Sequence, residues 1–103
     1  MIADIATHKD ELRQLCRRFG VRRLDVFGSA ARGDFDPARS DIDFLVEFAA
    51  EKGDLAHFLE FKEALEALLG RRVDLVDRKA IEKSDNYIRK RHILTGAEPV
   101  YAA

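Results

Sequence analysis

The sequence predicts an α/β (α+β) fold in which helices pack against a small mixed β-sheet. Amphipathic helical patterns alternate with short strand patterns along the chain, which is typical of helices layered on a sheet. The connection between the first two strand patterns is too short for a crossover helix, so the sheet is expected to be mixed. With 103 residues the chain can bury one hydrophobic core without covalent cross-links, and we expect a single domain over residues 1–103.

The first half of the chain is predicted to contain one helix and two strands. Apolar residues recur at helical spacing before Gly20, which can end the helix; they are Leu12, Leu15, Cys16 and Phe19. Residues 21–27 form a β-rich run, and residues 28–40 are small, polar and turn-prone. In residues 41–48, every second position is apolar, which predicts a strand carrying Ile42, Phe44, Val46 and Phe48 on one face.

The second half is predicted to contain two helices and up to two strands. A long amphipathic helix begins with Asp54 as its N-cap and ends at Gly70. Residues 73–76 predict a third strand, and residues 79–94 predict a further helix with weaker apolar periodicity. Residues 98–101 are expected to add a short edge strand, and the pattern leaves the order of the strands open.

Composition excludes several functional classes. The 18 Lys and Arg residues nearly balance the 19 Asp and Glu residues, whereas a general nucleic-acid-binding protein carries a strong positive excess. No apolar run approaches the roughly 20 residues that span a bilayer, and the N-terminus lacks the pattern of a signal peptide. A single cysteine, Cys16, excludes an internal disulfide framework. We therefore expect a cytoplasmic protein without direct nucleic-acid or membrane partners.

Two acidic residues begin the most apolar strand. Asp41 and Asp43 are two positions apart, so both carboxylates project from the same face of that strand. Such like charges resist ionisation unless a partner neutralises them, and a hard divalent cation such as Mg²⁺ is a common partner. The alternative is that the pair lies on a solvated strand face, but unpaired charges would be costly in this apolar strand. The pair therefore favours a metal-dependent site.

A third carboxylate and a glycine-containing turn complete the candidate site. Asp74 lies at the start of the next strand, where it could orient or activate a nucleophile. Gly28 permits a sharp turn, and the Ser29 hydroxyl with the backbone N–H groups that follow it could hold phosphate oxygens. Arg32 could add a charge-assisted contact to the same phosphates.

Other polar residues receive a structural interpretation. Residues 28–33 fit the glycine spacing of a P-loop, but Asp34 stands where that motif requires lysine. The three histidines lie on separate predicted helices, which argues against a shared metal site; they are His8, His57 and His92. The cationic run in residues 79–91 is interpreted as a solvated helix face.

The combination of these motifs resembles a known family. Gly28-Ser29, a connecting loop over residues 30–40 and the Ser40-Asp41-Ile42-Asp43 run resemble the signature of the DNA polymerase β-type nucleotidyltransferase superfamily. The closer similarity is to its minimal nucleotidyltransferase branch, whose members have about this length. The resemblance is strong over residues 24–76, and it implies the nucleotidyltransferase fold.

The resemblance also implies an activity and a distribution of roles. It implies transfer of AMP from ATP to an acceptor hydroxyl, with release of pyrophosphate. Asp41, Asp43 and Asp74 would be the catalytic residues and would hold Mg²⁺, as two ions. Gly28 and Ser29 would bind the triphosphate, assisted by Arg32.

Family members suggest a partner as well. Minimal nucleotidyltransferases are often antitoxins of type VII toxin–antitoxin systems, which attach AMP to a tyrosine of a HEPN-domain toxin, and this implies a hetero-oligomer. One alternative is an antitoxin that binds its toxin without catalysis. Another is nucleotidyl transfer to a small molecule with the help of a helical partner subunit.

Overall fold

The computed structural model describes residues 2–36, 38, 40–49 and 55–103. Six helices and four strands alternate along these ranges. The helices are α1 (Ala3–Thr7), α2 (Lys9–Arg18), α3 (Ser29–Arg32), α4 (Leu55–Leu69), α5 (Arg78–Glu82) and α6 (Tyr87–Gly96). The strands are β1 (Val21–Phe27), β2 (Ile42–Phe48), β3 (Val73–Asp77) and β4 (Glu98–Ala102).

The four strands form one mixed sheet with the order β3-β2-β1-β4. Strand β1 pairs antiparallel with both β2 and β4, whereas β2 and β3 run parallel. The predicted mixed sheet and the predicted edge position of the C-terminal strand are both confirmed. The parallel pair places the starts of β2 and β3 side by side, with Ile42 opposite Val73.

Helices cover both faces of the sheet. On one face, Ile42, Phe44 and Val46 of β2 pack in the main core with residues of α2 and α4, such as Leu12 and Phe61. On the other face, Leu45 packs in a second cluster against Ile81 of α5 and Ile93 of α6. The central strand β2 is therefore buried on both sides, which explains why its sequence is so apolar.

Two single-residue predictions can be followed into the core. Cys16 is fully buried among apolar side chains, and burial raises the pKa of its thiol to about 12. His57 donates a hydrogen bond from Nε2 to the carbonyl oxygen of Phe19 at 2.7 Å, and its ring packs against Phe48. Both side chains therefore contribute to the packing of the core.

Three details differ from the expected elements. The prediction of one helix over residues 79–94 is wrong, because the chain breaks between α5 and α6. Ser84 accepts a hydrogen bond from the backbone of Asn86, and Asn86 caps α6 by accepting one from the backbone N–H of Arg89. Short polar side chains of this kind compete with continuous helical bonding. The one-turn α3 and the N-terminal α1 were also not anticipated, since both are too short to show apolar periodicity.

The predicted end of the long helix is confirmed. Helix α4 ends at Leu69, and Gly70 follows with a φ of +65°. The proposed N-cap, Asp54, lies outside the described residues. No helix in the described part of the chain is long and apolar enough to cross a membrane.

Candidate active site

Strands β2 and β3 bring the predicted acidic residues Asp41, Asp43 and Asp74 together at one edge of the sheet, called the acidic edge below. Asp43, the second residue of β2, lies opposite Phe27 at the end of β1 and opposite Asp74 near the start of β3. The sequence pattern predicts that Asp41 lies on β2, but Asp41 precedes the first residue of that strand by one position. The parallel register of β2 and β3 therefore places Asp43 and Asp74 on adjacent strands at the same level.

The carboxylates belong to the sheet face that α5 and α6 cover. Successive strand residues point to opposite faces, so Asp43 shares a face with Leu45, and Asp74 shares a face with Val76. Leu45 and Val76 belong to the apolar cluster formed with α5 and α6. The acidic edge is thus the polar end of that smaller core, which is an environment that disfavours isolated negative charge.

The pKa of Asp43 reflects this position. Burial, together with the neighbouring carboxylates of Asp74 and Asp41, raises the pKa of Asp43 to about 6, and Arg32 opposes the shift. The carboxylate of Asp43 is therefore close to both other acids and to one guanidinium group. A cation placed here would relieve a charge that the protein leaves only partly balanced.

Gly28 is in direct contact with Asp43. Its backbone has φ +69° and ψ −150°, a region essentially reserved for glycine. A Cβ atom added at this position would lie 2.3 Å from Oδ2 of Asp43, well inside contact distance. The glycine therefore allows both the turn from β1 into α3 and the close approach of that turn to the carboxylate.

Asp41 has a neighbour that the sequence analysis missed. Nε of Arg72 lies 3.2 Å from Oδ1 of Asp41, but the geometry is that of an ion pair and not of a hydrogen bond. Among the described residues, Oδ1 of Asp41 is a buried oxygen without a hydrogen-bond donor. The parallel alignment of β2 and β3 would have revealed Arg72, because it precedes Val73 just as Asp41 precedes Ile42.

The remaining predicted residues lie on the turn after β1. Ser29 and Arg32 are the first and last residues of α3, and the carbonyl oxygen of Gly28 closes this turn by accepting a hydrogen bond from the backbone of Arg32. The Arg32 side chain is 61% exposed, and its Nη2 lies 3.4 Å from Oδ2 of Asp34. Arg32 is therefore free to turn toward a ligand at the cost of one surface ion pair.

The donor set fits a hard divalent cation. Carboxylate oxygens are the ligands that Mg²⁺ prefers. Oδ1 of Asp41 accepts no hydrogen bond from the described residues, and Arg32 balances only part of the charge of Asp43. Both carboxylates therefore favour a cation between them. Within the described ranges, no three acidic, histidine or cysteine side chains converge closely enough to enclose a metal ion. Mutual repulsion opposes closer approach of the carboxylates. Closure around a cation would therefore require their side chains to move together.

A mixed sheet whose edge presents a glycine-serine turn beside paired carboxylates agrees with the nucleotidyltransferase fold that the sequence motifs imply. The sequence model of the nucleotidyltransferase domain family matches residues 8–94. The chain therefore belongs to this family, and within it to the minimal nucleotidyltransferases. It is an enzyme of the nucleotidyltransferase class, as the sequence analysis predicted.

Individual relatives agree with this assignment. The chain is 49% identical over 78 residues to the protein adenylyltransferase MntA of Thermococcus cleftensis, a match that covers 76% of this chain and 74% of that protein. A solved minimal nucleotidyltransferase superposes with a TM-score of 0.74 at 36% identity and covers 92% of this chain and 91% of its own.

A more distant structure shares the fold. The complex of a tri-AMPylated HEPN toxin with an MNT antitoxin from Shewanella oneidensis contains a chain that superposes with a TM-score of 0.65 at 20% identity. The similarity covers 96% of this chain and 73% of that chain.

Proposed function

We propose that this protein transfers AMP from ATP to a tyrosine hydroxyl of a partner HEPN toxin and so acts as the antitoxin of a toxin–antitoxin pair. The observation that carries the proposal is the carboxylate cluster of Asp41, Asp43 and Asp74 against the Gly28 turn, in a chain so similar to a protein adenylyltransferase. The AMP-modified toxin in the Shewanella oneidensis complex supports the choice of partner. We further propose that residues 1–103 act as one domain.

In the proposed reaction the tyrosine oxygen attacks the α-phosphorus of ATP. A new phosphorus–oxygen bond forms to the acceptor, the bond to the β-phosphate breaks, and pyrophosphate leaves. The phenolic proton passes to a carboxylate, and Asp74 is the proposed acceptor because it is exposed and lies on the strand next to Asp43. Such a transfer requires positioning and charge neutralisation and no covalent protein intermediate.

The proposed binding roles follow from the placement of each side chain. Asp41, Asp43 and Asp74 would hold Mg²⁺, which neutralises the phosphate oxygens and polarises the reacting centre when it is bound. The Gly28 turn and the Ser29 hydroxyl would receive the triphosphate at the end of β1. Arg32 would reach the same phosphates, because it already lies close enough to Asp43 to influence its charge.

The test is transfer of labelled AMP from ATP to proteins of a host lysate, with wild type compared with Asp43→Asn. We expect one small labelled protein with wild type, and about a thousandfold slower labelling with the variant, because one carboxylate of the cluster is neutralised. Removal of divalent cations with EDTA should abolish labelling, and added Mg²⁺ should restore it.

The matched control is Asp10→Asn, which makes the same chemical change on the exposed start of α2. This variant should label the acceptor at the wild-type rate. Mass spectrometry of the labelled protein should locate AMP on a tyrosine. Equal labelling by wild type and Asp43→Asn would overturn the proposed site, and AMP on another residue type would correct the proposed acceptor.

A further inference from the structure

A large groove lies between α3 and α6 beside the candidate active site. It has a volume of about 740 Å³, and Arg32 forms one wall. The opposite wall is a face of α6 that carries Tyr87, Ile88, Arg91 and His92. From the sequence, this helix is expected to present only a solvated basic face, and the α6 residues of the groove have no role in the site described above.

The groove adjoins the acidic edge of the sheet through Arg32. Helix α6 packs through Ile93 on Leu45, which shares a sheet face with Asp43. The helix ends where β4 begins, and Glu98 of β4 lies opposite Val26, close to the end of β1. Arg32 belongs both to the groove and to the surroundings of Asp43. A molecule in the groove would therefore extend from α6 toward the carboxylates.

The walls of the groove combine apolar surface with positive charge. Tyr87 and Ile88 are 70% and 75% exposed, although large apolar side chains stabilise a protein most when buried. Arg32 and Arg91 supply two guanidinium groups, and none of the described residues that line the groove is acidic. Exposed tyrosine and arginine side chains are the types that contribute most binding energy at protein interfaces.

This combination favours a polypeptide over a nucleotide. A nucleotide could stack its base on Tyr87 and place a phosphate near an arginine, but it has no second apolar group for the adjacent Ile88. A peptide with acidic and aliphatic side chains pairs with Arg91 and covers both apolar residues, while Arg32 remains available to the phosphates of ATP. We propose that the groove binds an acidic, apolar segment of the acceptor protein and so delivers the neighbouring hydroxyl to the active site. This inference rests on the proposed protein-adenylylating function.

The experiment uses two synthetic peptides of equal length, each with one tyrosine and the same leucines, flanked either by Asp and Glu or by Lys. Fluorescence anisotropy measures their binding to the full chain, and labelled ATP measures AMP transfer to them. The acidic peptide should bind about tenfold more tightly than the basic peptide. Arg91→Glu should reverse this preference, and Tyr87→Ala should weaken the acidic peptide about tenfold.

The matched control is Arg89→Glu, which makes the same charge change on α6 outside the groove. It should leave the peptide preference and the affinity for Mg-ATP unchanged. Tyr87, Arg89 and Arg91 are all exposed, so the variants should fold, and their melting temperatures check this.

The outcomes separate the groove from the reaction. Equal binding of the two peptides, or equal effects of Arg91→Glu and Arg89→Glu, would overturn the inference. Weaker binding of Mg-ATP to Tyr87→Ala with unchanged peptide binding would assign the groove to the nucleotide and would also overturn it. Selective binding of the acidic peptide without any AMP transfer would support the docking surface and count against the proposed reaction.

Discussion

Two aspartates on neighbouring strands show opposite treatments of a buried charge. Asp25 on β1 is fully buried, and its two carboxylate oxygens meet two different guanidinium groups. Oδ2 accepts a hydrogen bond from Arg78 of α5, and Oδ1 lies 3.1 Å from Nε of Arg23. Asp43 on β2 is only half-buried, yet it lies beside two further carboxylates and its pKa is raised to about 6.

The difference separates a structural charge from the one that we propose to be functional. Asp25 is neutralised within the chain and joins α5 to the sheet, so it has no capacity left for a ligand. Asp43 is surrounded by charge of its own sign, which is unfavourable for folding and favourable for binding a cation. Proteins accept this kind of local cost where a ligand relieves it.

The largest effect should come from breaking the structural pair. Arg78→Met keeps much of the apolar volume but leaves Asp25 as a buried charge with only its partner at Arg23. We expect the free energy of unfolding to fall by about 3 kcal/mol in urea denaturation. At a temperature where the variant is folded, affinity for Mg-ATP should be retained, because Arg78 is not part of the acidic edge.

The control for this prediction is Arg23→Ala, which removes the other guanidinium beside the same carboxylate. The Arg23 side chain is 46% exposed, so its loss should cost about 1 kcal/mol or less. Equal destabilisation by the two substitutions would show that burial of Arg78 is not what makes the pair important.

A somewhat smaller effect is expected where the backbone touches Asp43. Gly28→Ala would force a side chain into a glycine-only conformation and against Oδ2 of the carboxylate. We expect a loss of about 2 kcal/mol in the free energy of unfolding, together with loss of AMP transfer, because Asp43 must move.

Gly70→Ala separates the two causes. Gly70 has a similar φ of +65° but open space where a Cβ would stand, and it lies at the end of α4. This variant should lose some stability from the backbone conformation and keep wild-type transfer. Loss of transfer in both variants would show that general destabilisation, and not displacement of Asp43, accounts for the result.

The smallest effect should be a gain in stability on neutralising Asp43. The folded pKa of about 6 lies above the ordinary value of 3.8, so the folded state binds the proton more tightly than the unfolded state. Stability therefore falls as the pH rises from about 4 to about 6, and the full penalty remains above that range. Without divalent cations, Asp43→Asn should be about 1 kcal/mol more stable than wild type at pH 8, after allowance for solvent screening.

Thermal unfolding at several pH values measures this difference. The advantage of Asp43→Asn should shrink as the pH falls below 6 and vanish only well below 3.8, where Asp43 is protonated in both the folded and the unfolded state. Mg²⁺ should stabilise wild type and leave Asp43→Asn nearly unchanged. A constant difference across the pH range would contradict the raised pKa.

Much of the site follows from local sequence pattern. The alternation in residues 41–48 places Asp43 and Leu45 on the face opposite Phe44, and the structure agrees. The turn-forming Gly28 and the acid at the start of β3 are equally visible in the sequence. The ion pair between Arg72 and Asp41 was missed, because it depends on the register between β2 and β3, which no local pattern specifies.

The break between α5 and α6 is a second feature that local sequence pattern did not predict. Ser84 and Asn86 carry recognisable capping chemistry, but the weak apolar periodicity of residues 79–94 could not show that two short helices cover separate parts of one sheet face. The position of α6 matters for function, because it forms the wall of the groove beside Arg32.

The sequence by itself determined the main helices and strands, the mixed character of the sheet and the family, and it singled out the three acidic residues of the candidate site. These follow from side-chain period and short-range motifs, which act over a few residues. Only the tertiary structure decided which charges are neutralised. Arg78 reaches Asp25 from 53 positions away, while Asp43 meets Asp74 and the Gly28 turn. The balance of charges depends on their distance in space. Strand order and register bring residues that are distant in sequence together, and packing of the whole core sets both.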